Sequence, residues 1–264
     1  MIISTTQSVL GLASGMLVGF SLGLVGGGGS ILAVPLMVYV VGVPEPHVAI
    51  GTSAIAVAAN AAVNLSNHAR GGTVVWSCAL VFAAAGMLGA FGGSILGKMV
   101  EGHRLLALFA LVMIVIALLM LKTRSRIGLP DVKMSMSNMP AIVSLGLATG
   151  TLSGFFGIGG GFLIVPALML ATGMPILNAI GSSLVSVTAF GLTTATNYAF
   201  SGLVDWELAI VFLAGGAIGG LLGARLAKQL ADRRGALNNV FAGLIFVVAT
   251  YMLYRSWIAL GQHA

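Results

Sequence analysis

The stretch GLVGGGGSILAVPLMVYVVGVPEPHVAIGTS, Gly23 to Ser53, sets four consecutive glycines between two apolar segments and closes on a short polar motif. Glycine weakens a helix interior by roughly 0.5–1 kcal/mol relative to alanine, so four in a row mark a break in a helix rather than its middle. The chain does nearly the same again in GFFGIGGGFLIVPALMLATGMPILNAIGSS, Gly154 to Ser183. Gly15, Gly19, Gly23, Gly26 and Pro35 recur as Gly146, Gly150, Gly154, Gly157 and Pro166 at a constant offset of 131. The register then slips by one residue. Beyond the slip, Ala49–Ser53 matches Ala179–Ser183, and Asn67, Gly72, Trp76 and Lys98 match Asn197, Gly202, Trp206 and Lys228. The sequence is one duplicated unit.

Composition places that unit in a membrane. Of 264 residues, 58% are hydrophobic and 7% charged, and the mean hydropathy is +1.09, far outside the soluble range. The fold class is therefore an all-α integral membrane protein. Each half reads as five apolar segments: residues 6–25, 29–43, 47–68, 74–97 and 104–121, then 141–157, 160–173, 175–199, 206–227 and 236–260. The domain organisation that follows is an N-terminal membrane repeat over 1–121, a polar linker over 122–140 and a C-terminal membrane repeat over 141–264. Met1–Gln7 holds no Lys or Arg, so the first segment reads as structure rather than a cleaved signal. Cys78 is the single cysteine, which excludes an internal disulfide and a multi-thiolate metal site.

The second and seventh segments are short for a ~30 Å hydrocarbon core. Glycines bound them on one side and Pro44 or Pro175 on the other, so they read as half-helices meeting near the midplane. Basic residues decide the threading. With an odd number of crossings per half, Arg70, Lys122, Arg124, Arg126, Lys133, Arg225, Lys228, Arg233 and Arg234 share one side, leaving Lys98, Arg104 and Arg255 on the other. An even number divides the same charges equally. The bias of Lys and Arg toward the cytoplasm selects the odd count. Odd halves sit upside down relative to each other, giving two inverted-topology repeats with about 8–10 membrane segments, both termini outside and the linker in the cytoplasm. Segments 1–2 and 6–7 read equally well as full spans or as re-entrant hairpins. The net charge of +6 serves topology, and no nucleic-acid partner is implied.

Inverted repeats with Gly/Pro-broken segments at matching positions point to a transporter substrate site. Glycines let backbone approach a ligand, and the half-helix N-termini near Ser30 and Phe162 would offer free N–H groups to an anion. The spaced glycines Gly15-Gly19-Gly23, Gly89-Gly93-Gly97 and Gly215-Gly219-Gly223 read instead as close-packing faces. Polar side chains within apolar segments are site candidates by cost. Segment three supplies Thr52, Ser53, Asn60, Asn64 and Asn67, and segment eight Ser182, Ser183, Ser186, Thr193, Thr194 and Asn197. Thr52, Ser53, Ser182 and Ser183 rank first because they lie in the repeated motif. Arg70 and His68, next to a segment end, read as a topology charge beside an interfacial histidine.

GLVGGGGSILAVPLM with AIGTS and NHARGGTVVW, and again GFFGIGGGFLIVPALML with AIGSS and NYAFSGLVDW, resemble the paired signature of the TauE/SafE sulfite exporter family. The resemblance covers both halves. It implies a carrier of sulfite or a small organosulfur anion across the cytoplasmic membrane, acting as an exporter. Gly26, Gly28 and Gly29 with Gly157, Gly159 and Gly160 match the family's glycine turns, and Pro35 and Pro166 match its proline. With Ser30 and Gly161 beside the turns, the substrate-binding set is Gly26, Gly28, Gly29, Ser30, Thr52, Ser53, Asn67, Gly157, Gly159, Gly160, Gly161, Ser182, Ser183 and Asn197.

The implied partners are the anion and the bilayer, with a homodimer as an open option and no cofactor. All six acids, Glu45, Glu101, Asp131, Asp205, Glu207 and Asp232, fall in connections or at segment ends. A buried carboxylate relay is thus not expected, and export down the membrane potential suits an anion, at about 2.3 kcal/mol per charge per 100 mV. The chain carries no nucleophile–base or metal set of the HExxH kind, so it does not read as an enzyme. A passive anion channel on the same inverted fold is the alternative. The expected mechanism is alternating access, with one repeat rocking against the other.

Overall fold

The computed structural model describes residues 4–122, 138–157, 159 and 161–230, with Gly243, Phe246, Thr250, Tyr251 and Tyr254 beyond them. These residues form helices and connections, with no strand among them. The first helix, α1 (Thr5–Val25), opens on a capping box in which Ser4 and Gln7 satisfy each other's backbone N–H groups. It ends at Gly26. A 3-10 helix, Gly26–Leu32, then carries the chain into α2 (Ala33–Tyr39), α3 (Pro46–Arg70), α4 (Trp76–Lys98) and α5 (Gly102–Lys122). The second half runs as α6 (Met139–Phe156), α7 (Gly161–Thr172), α8 (Ile176–Phe200) and α9 (Trp206–Leu230). Prolines start α3 and α6, where their missing N–H is harmless. Among the described residues six helices, α1, α3, α4, α6, α8 and α9, are long and apolar enough to cross a membrane.

Most segment boundaries fall within a few residues of the sequence reading. One differs in kind. The expected helix N-terminus near Ser30 is absent, because the glycine run winds as a 3-10 helix through Ser30 and α2 begins only at Ala33. Without side chains to fix φ, a glycine run takes whichever winding its neighbours impose. The linker 122–140 lies mostly outside the described residues, with α5 reaching Lys122 and α6 starting at Met139. The tenth segment, 236–260, is likewise described at only five positions.

The glycine stripes are interfaces. A Cβ at Gly15, Gly19 or Gly23 of α1 would strike the backbone carbonyls of Phe212, Gly216 and Gly220 of α9, and Gly215, Gly219 and Gly223 face Leu12, Met16 and Phe20 in return. Each step of four keeps the same sense, so α1 and α9 run parallel. The same zip joins α4 to α6: Gly89, Gly93 and Gly97 meet Leu147, Thr151 and Phe155, and Gly150 and Gly154 meet Gly86 and Ala90. In lipid there is no hydrophobic drive between helices, and backbone-to-backbone packing of this kind supplies the association.

Between the two zipped pairs lie α3 and α8. Gly51 packs on Tyr198, and Gly191 on Ala54 and Ala58, which makes these helices antiparallel. Asn60 and Asn64 of α3 lean on Gly216 and Gly220 of α9, while Phe190 of α8 leans on Gly86 of α4 and stacks on Phe82 at 6.4 Å. Large apolar side chains such as Leu88, Phe91 and Ile210 point outward, where lipid covers them.

This packing crosses the expected division into repeats. Helix α1 belongs to the first repeat and α9 to the second, and α4 and α6 are shared in the same way. Rocking residues 1–121 as a body against 141–264 would tear both glycine interfaces.

Candidate functional site

Both glycine turns close against the central helix pair. Gly26, with φ 67°, sits where a Cβ would lie 2.7 Å from the Ile180 side chain of α8, and Gly157, also at φ 67°, abuts Ile50 of α3. Gly159 reaches deeper. A Cβ there would lie 3.4 Å from Val57 and 3.5 Å from Val187, each the twelfth residue of its 25-residue helix. The second turn therefore stands at the middle of both α3 and α8. Gly29 packs on Ser21 and Leu22 of α1, Gly28 lies in the 3-10 helix and Gly161 opens α7. Gly160 is outside the described residues.

The four motif hydroxyls are fully buried and come in matched pairs. Ser53 donates to Ile50 O at 3.1 Å and Ser183 to Ile180 O at 2.8 Å, so each is tied to the residue on which a glycine turn rests. Thr52 and Ser182 face elsewhere. Thr52 Oγ1 accepts from the Asp205 backbone N–H at 2.9 Å, and Ser182 Oγ accepts from Val75 N–H at 2.9 Å. Both amides open helices, α9 and α4, whose first N–H groups have no partner of their own. The structure thus sets Ser53 and Ser183 beside the turns and gives Thr52 and Ser182 a second task, tying α3 and α8 to the next helices. Ser30 is buried, and Asn67 is half-buried near the end of α3.

Deeper polar atoms are less well served. Among the described residues Asn60 Oδ1 and Nδ2, Ser153 Oγ, Ser186 Oγ and Thr194 Oγ1 are buried without a hydrogen-bond partner. A buried unpaired polar group costs about 1–3 kcal/mol, so such a set in a membrane interior asks for a functional reason.

The family model for the sulfite exporter TauE/SafE matches residues 11–252. The chain belongs to the TauE/SafE sulfite exporter family. As a family member it is an integral multi-pass membrane protein and a membrane transporter. Relatives carry matching descriptions. A probable membrane transporter protein of Xylella fastidiosa strain 9a5c is 52% identical over 258 residues, covering 97% of this chain and 99% of its own. The probable membrane transporter protein YunE of Bacillus subtilis is 27% identical over 94% of this chain and 96% of its own. No solved structure matches the chain.

In this TauE/SafE protein, sequence reasoning missed the part played by Lys98. Read as a topology charge, it instead donates from α4 to Asn197 Oδ1 of α8 at 2.7 Å, and Asn197 Nδ2 donates to Ser94 Oγ at 2.6 Å. The signal available was that both residues recur in the duplicated unit, Lys98 as Lys228 and Asn197 as Asn67. The capping task of Thr52 and Ser182 had none, since their partners lie more than one hundred residues away. Thr52→Val and Ser182→Ala should each lower the stability of the purified transporter by about 1–2 kcal/mol, the usual loss for a helix cap. Thermal unfolding in detergent reads this; an unchanged midpoint in both variants would remove the tie.

Proposed function

We propose that this transporter exports sulfite or a small organosulfur anion of the sulfonate type across the cytoplasmic membrane by alternating access. The carrying observation is that Gly159 meets α3 and α8 at their midpoints, with Ser53 and Ser183 tied to the residues that seat the two turns. Backbone N–H groups at glycine turns and hydroxyls bind oxyanions without fixed charge, which keeps binding weak enough for release. The binding set is the glycine turns Gly26, Gly28, Gly29, Gly157, Gly159, Gly160 and Gly161 with Ser30, Thr52, Ser53, Asn67, Ser182, Ser183 and Asn197. All four motif hydroxyls are shut off from solvent, as an occluded state requires.

Two inverted repeats of five segments, 1–121 and 141–264 joined by a cytoplasmic linker over 122–140, fit this reading. Its support is that the equivalent helices α3 and α8 run antiparallel, and that α1 follows α9 while α4 follows α6. Both termini then face outside. The moving bodies are crosswise, α1 with α9 against α4 with α6, so that each glycine interface travels intact.

Labelled sulfite flux into proteoliposomes, at clamped potential and set pH gradient, tests the proposal. Taurine, sulfoacetate, thiosulfate and sulfate serve as competitors. Saturable flux inhibited by at least one of them is expected. Ser53→Ala combined with Ser183→Ala should lower that flux about tenfold, near 1.4 kcal/mol of lost binding, with folded yield unchanged. Wild-type flux in the double variant would take both serines out of the site, and flux rising linearly with concentration would replace the carrier by a channel.

A further inference from the structure

We propose that Lys98 is an anion-operated latch at the end of the bundle where α3 begins and α4 and α8 finish, a role that rests on the anion-transport reading above. Lys98 is the last residue of α4. Its Nζ crosses to α8 and donates to Asn197 Oδ1 at 2.7 Å, Ser201 Oγ at 2.8 Å and Asn197 O at 3.3 Å. All three N–H bonds of the ammonium are therefore used, and every acceptor is neutral. The ion pair among the described residues is Arg104 with Glu101, so no carboxylate there compensates the Lys98 charge. Asn197 Nδ2 continues the chain of bonds to Ser94 Oγ at 2.6 Å. Two helix ends are joined by this uncompensated cation and by the Asn197–Ser94 bond beside it.

Buried polar atoms without partners among the described residues lie close by, on Tyr198 and His47. Nζ stands 5.8 Å from the centre of the Tyr198 ring. Tyr198 is fully buried, and its OH has no partner among the described residues. Against it packs the His47 ring at 6.3 Å, whose Nε2 is 3.1 Å from Val100 O while its buried Nδ1 is unpaired. A small oxyanion taking the place of Asn197 and Ser201 would give the ammonium the counter-charge it lacks.

An anion adds to a hydrogen bond the charge–charge attraction that the neutral acceptors Asn197 and Ser201 lack, so an arriving anion displaces them from the ammonium. The end of α8 is then released from α4. Lysine suits this work because its flexible stem and three donors let it exchange partners, where the rigid fork of arginine holds one geometry. Position suits it as well: Ser201 is exposed and Lys98 half-buried, so the bonds that must break lie at the rim.

Hydrogen–deuterium exchange of the full-length protein in phosphatidylcholine nanodiscs, with sulfite as probe, tests the latch. The amides of Ser201, Gly202 and Leu203, bonded to Tyr198 O, Ala199 O and Tyr198 O, report on the end of α8. Sulfite should speed their exchange about tenfold in wild type, the scale of a local opening made easier by lost hydrogen bonds. Lys98→Gln should exchange fast with or without sulfite, and Lys98→Arg should keep a response. Ser201→Ala, a milder change, should raise basal exchange part-way and still respond.

No sulfite effect in wild type, or the same effect in Lys98→Gln, overturns the latch. Sulfite flux by the same purified protein reconstituted into proteoliposomes separates the two readings: flux without an exchange response in nanodiscs sinks the latch alone, whereas absence of flux sinks the sulfite assignment. If phosphatidylglycerol in the nanodisc loosens these amides and sulfite adds nothing, Lys98 serves a lipid headgroup and the proposal fails.

Discussion

Gly19→Leu should abolish recovery of folded protein from membranes, and Gly150→Leu should do the same through the other zip. Even a single methyl group is too much at these positions. A Cβ at Gly19 runs into the carbonyl of Gly216, and one at Gly150 into the carbonyl of Gly86. Backbone cannot swing aside as a side chain does, so the helices must separate along the whole stripe. Overpacking costs about 1–3 kcal/mol in a soluble core, and a leucine on a backbone-to-backbone contact should exceed that range. The decisive comparison is with alanine. Gly92→Ala, on the same helix as Gly89 and Gly93 but with open space around its Cβ, should be neutral or stabilising by up to about 1 kcal/mol through helix propensity. Gly19→Ala should destabilise. Size-exclusion profiles and thermal midpoints in detergent give both signs, and equal behaviour of Gly19→Ala and Gly92→Ala would show that the stripe is not the interface.

Gly157→Ala should cut sulfite flux by about 10- to 100-fold, the penalty for displacing a binding element by roughly an ångström. Two costs combine there. At φ 67° an L-residue loses about 1–2 kcal/mol. Its methyl group would also overlap Ile50, whose Cβ lies 3.1 Å from the new atom. The turn must back away from α3, taking the approach of Gly159 to Val57 and Val187 with it. Ile50→Ala opens room at a cost of its own, about 2–5 kcal/mol for a buried large-to-small change. Combining the two should therefore be less damaging than the singles added together, with a coupling of about 0.5–3 kcal/mol. Strict additivity would mean that Ile50 does not seat the turn. The dihedral cost persists in the double variant, so flux should recover only in part.

The repeat, the membrane class and the segment limits were legible because they depend on composition and spacing alone. Glycines four apart announced faces, and the structure pairs those faces across the halves, a choice that spacing cannot make since every stripe offers the same groove. Ser53 and Ser183 stand out by position in a repeated motif, and the structure sets them beside the residues that seat the turns. Thr52 and Ser182 stand out by the same position, yet their hydroxyl partners are backbone amides of distant helices, and only the packed chain reveals them. Lys98 was misread for a related reason: a lysine at a helix end is ordinarily a topology signal, and its reach to Asn197 depends on α4 and α8 finishing together. Local conformation escaped as well at Gly26–Leu32, since a glycine run carries no side-chain preference to read.

The pairing of α1 with α9 also sets a schedule for synthesis. Gly19 meets Gly216, made about two hundred residues later, and ribosomes add about 5–20 residues per second. Helix α1 therefore waits roughly 10–40 s in the bilayer with its glycine groove unfilled. Helix α4 has a shorter wait for α6. During that interval the nascent chain carries a docking groove open to any other helix with small residues.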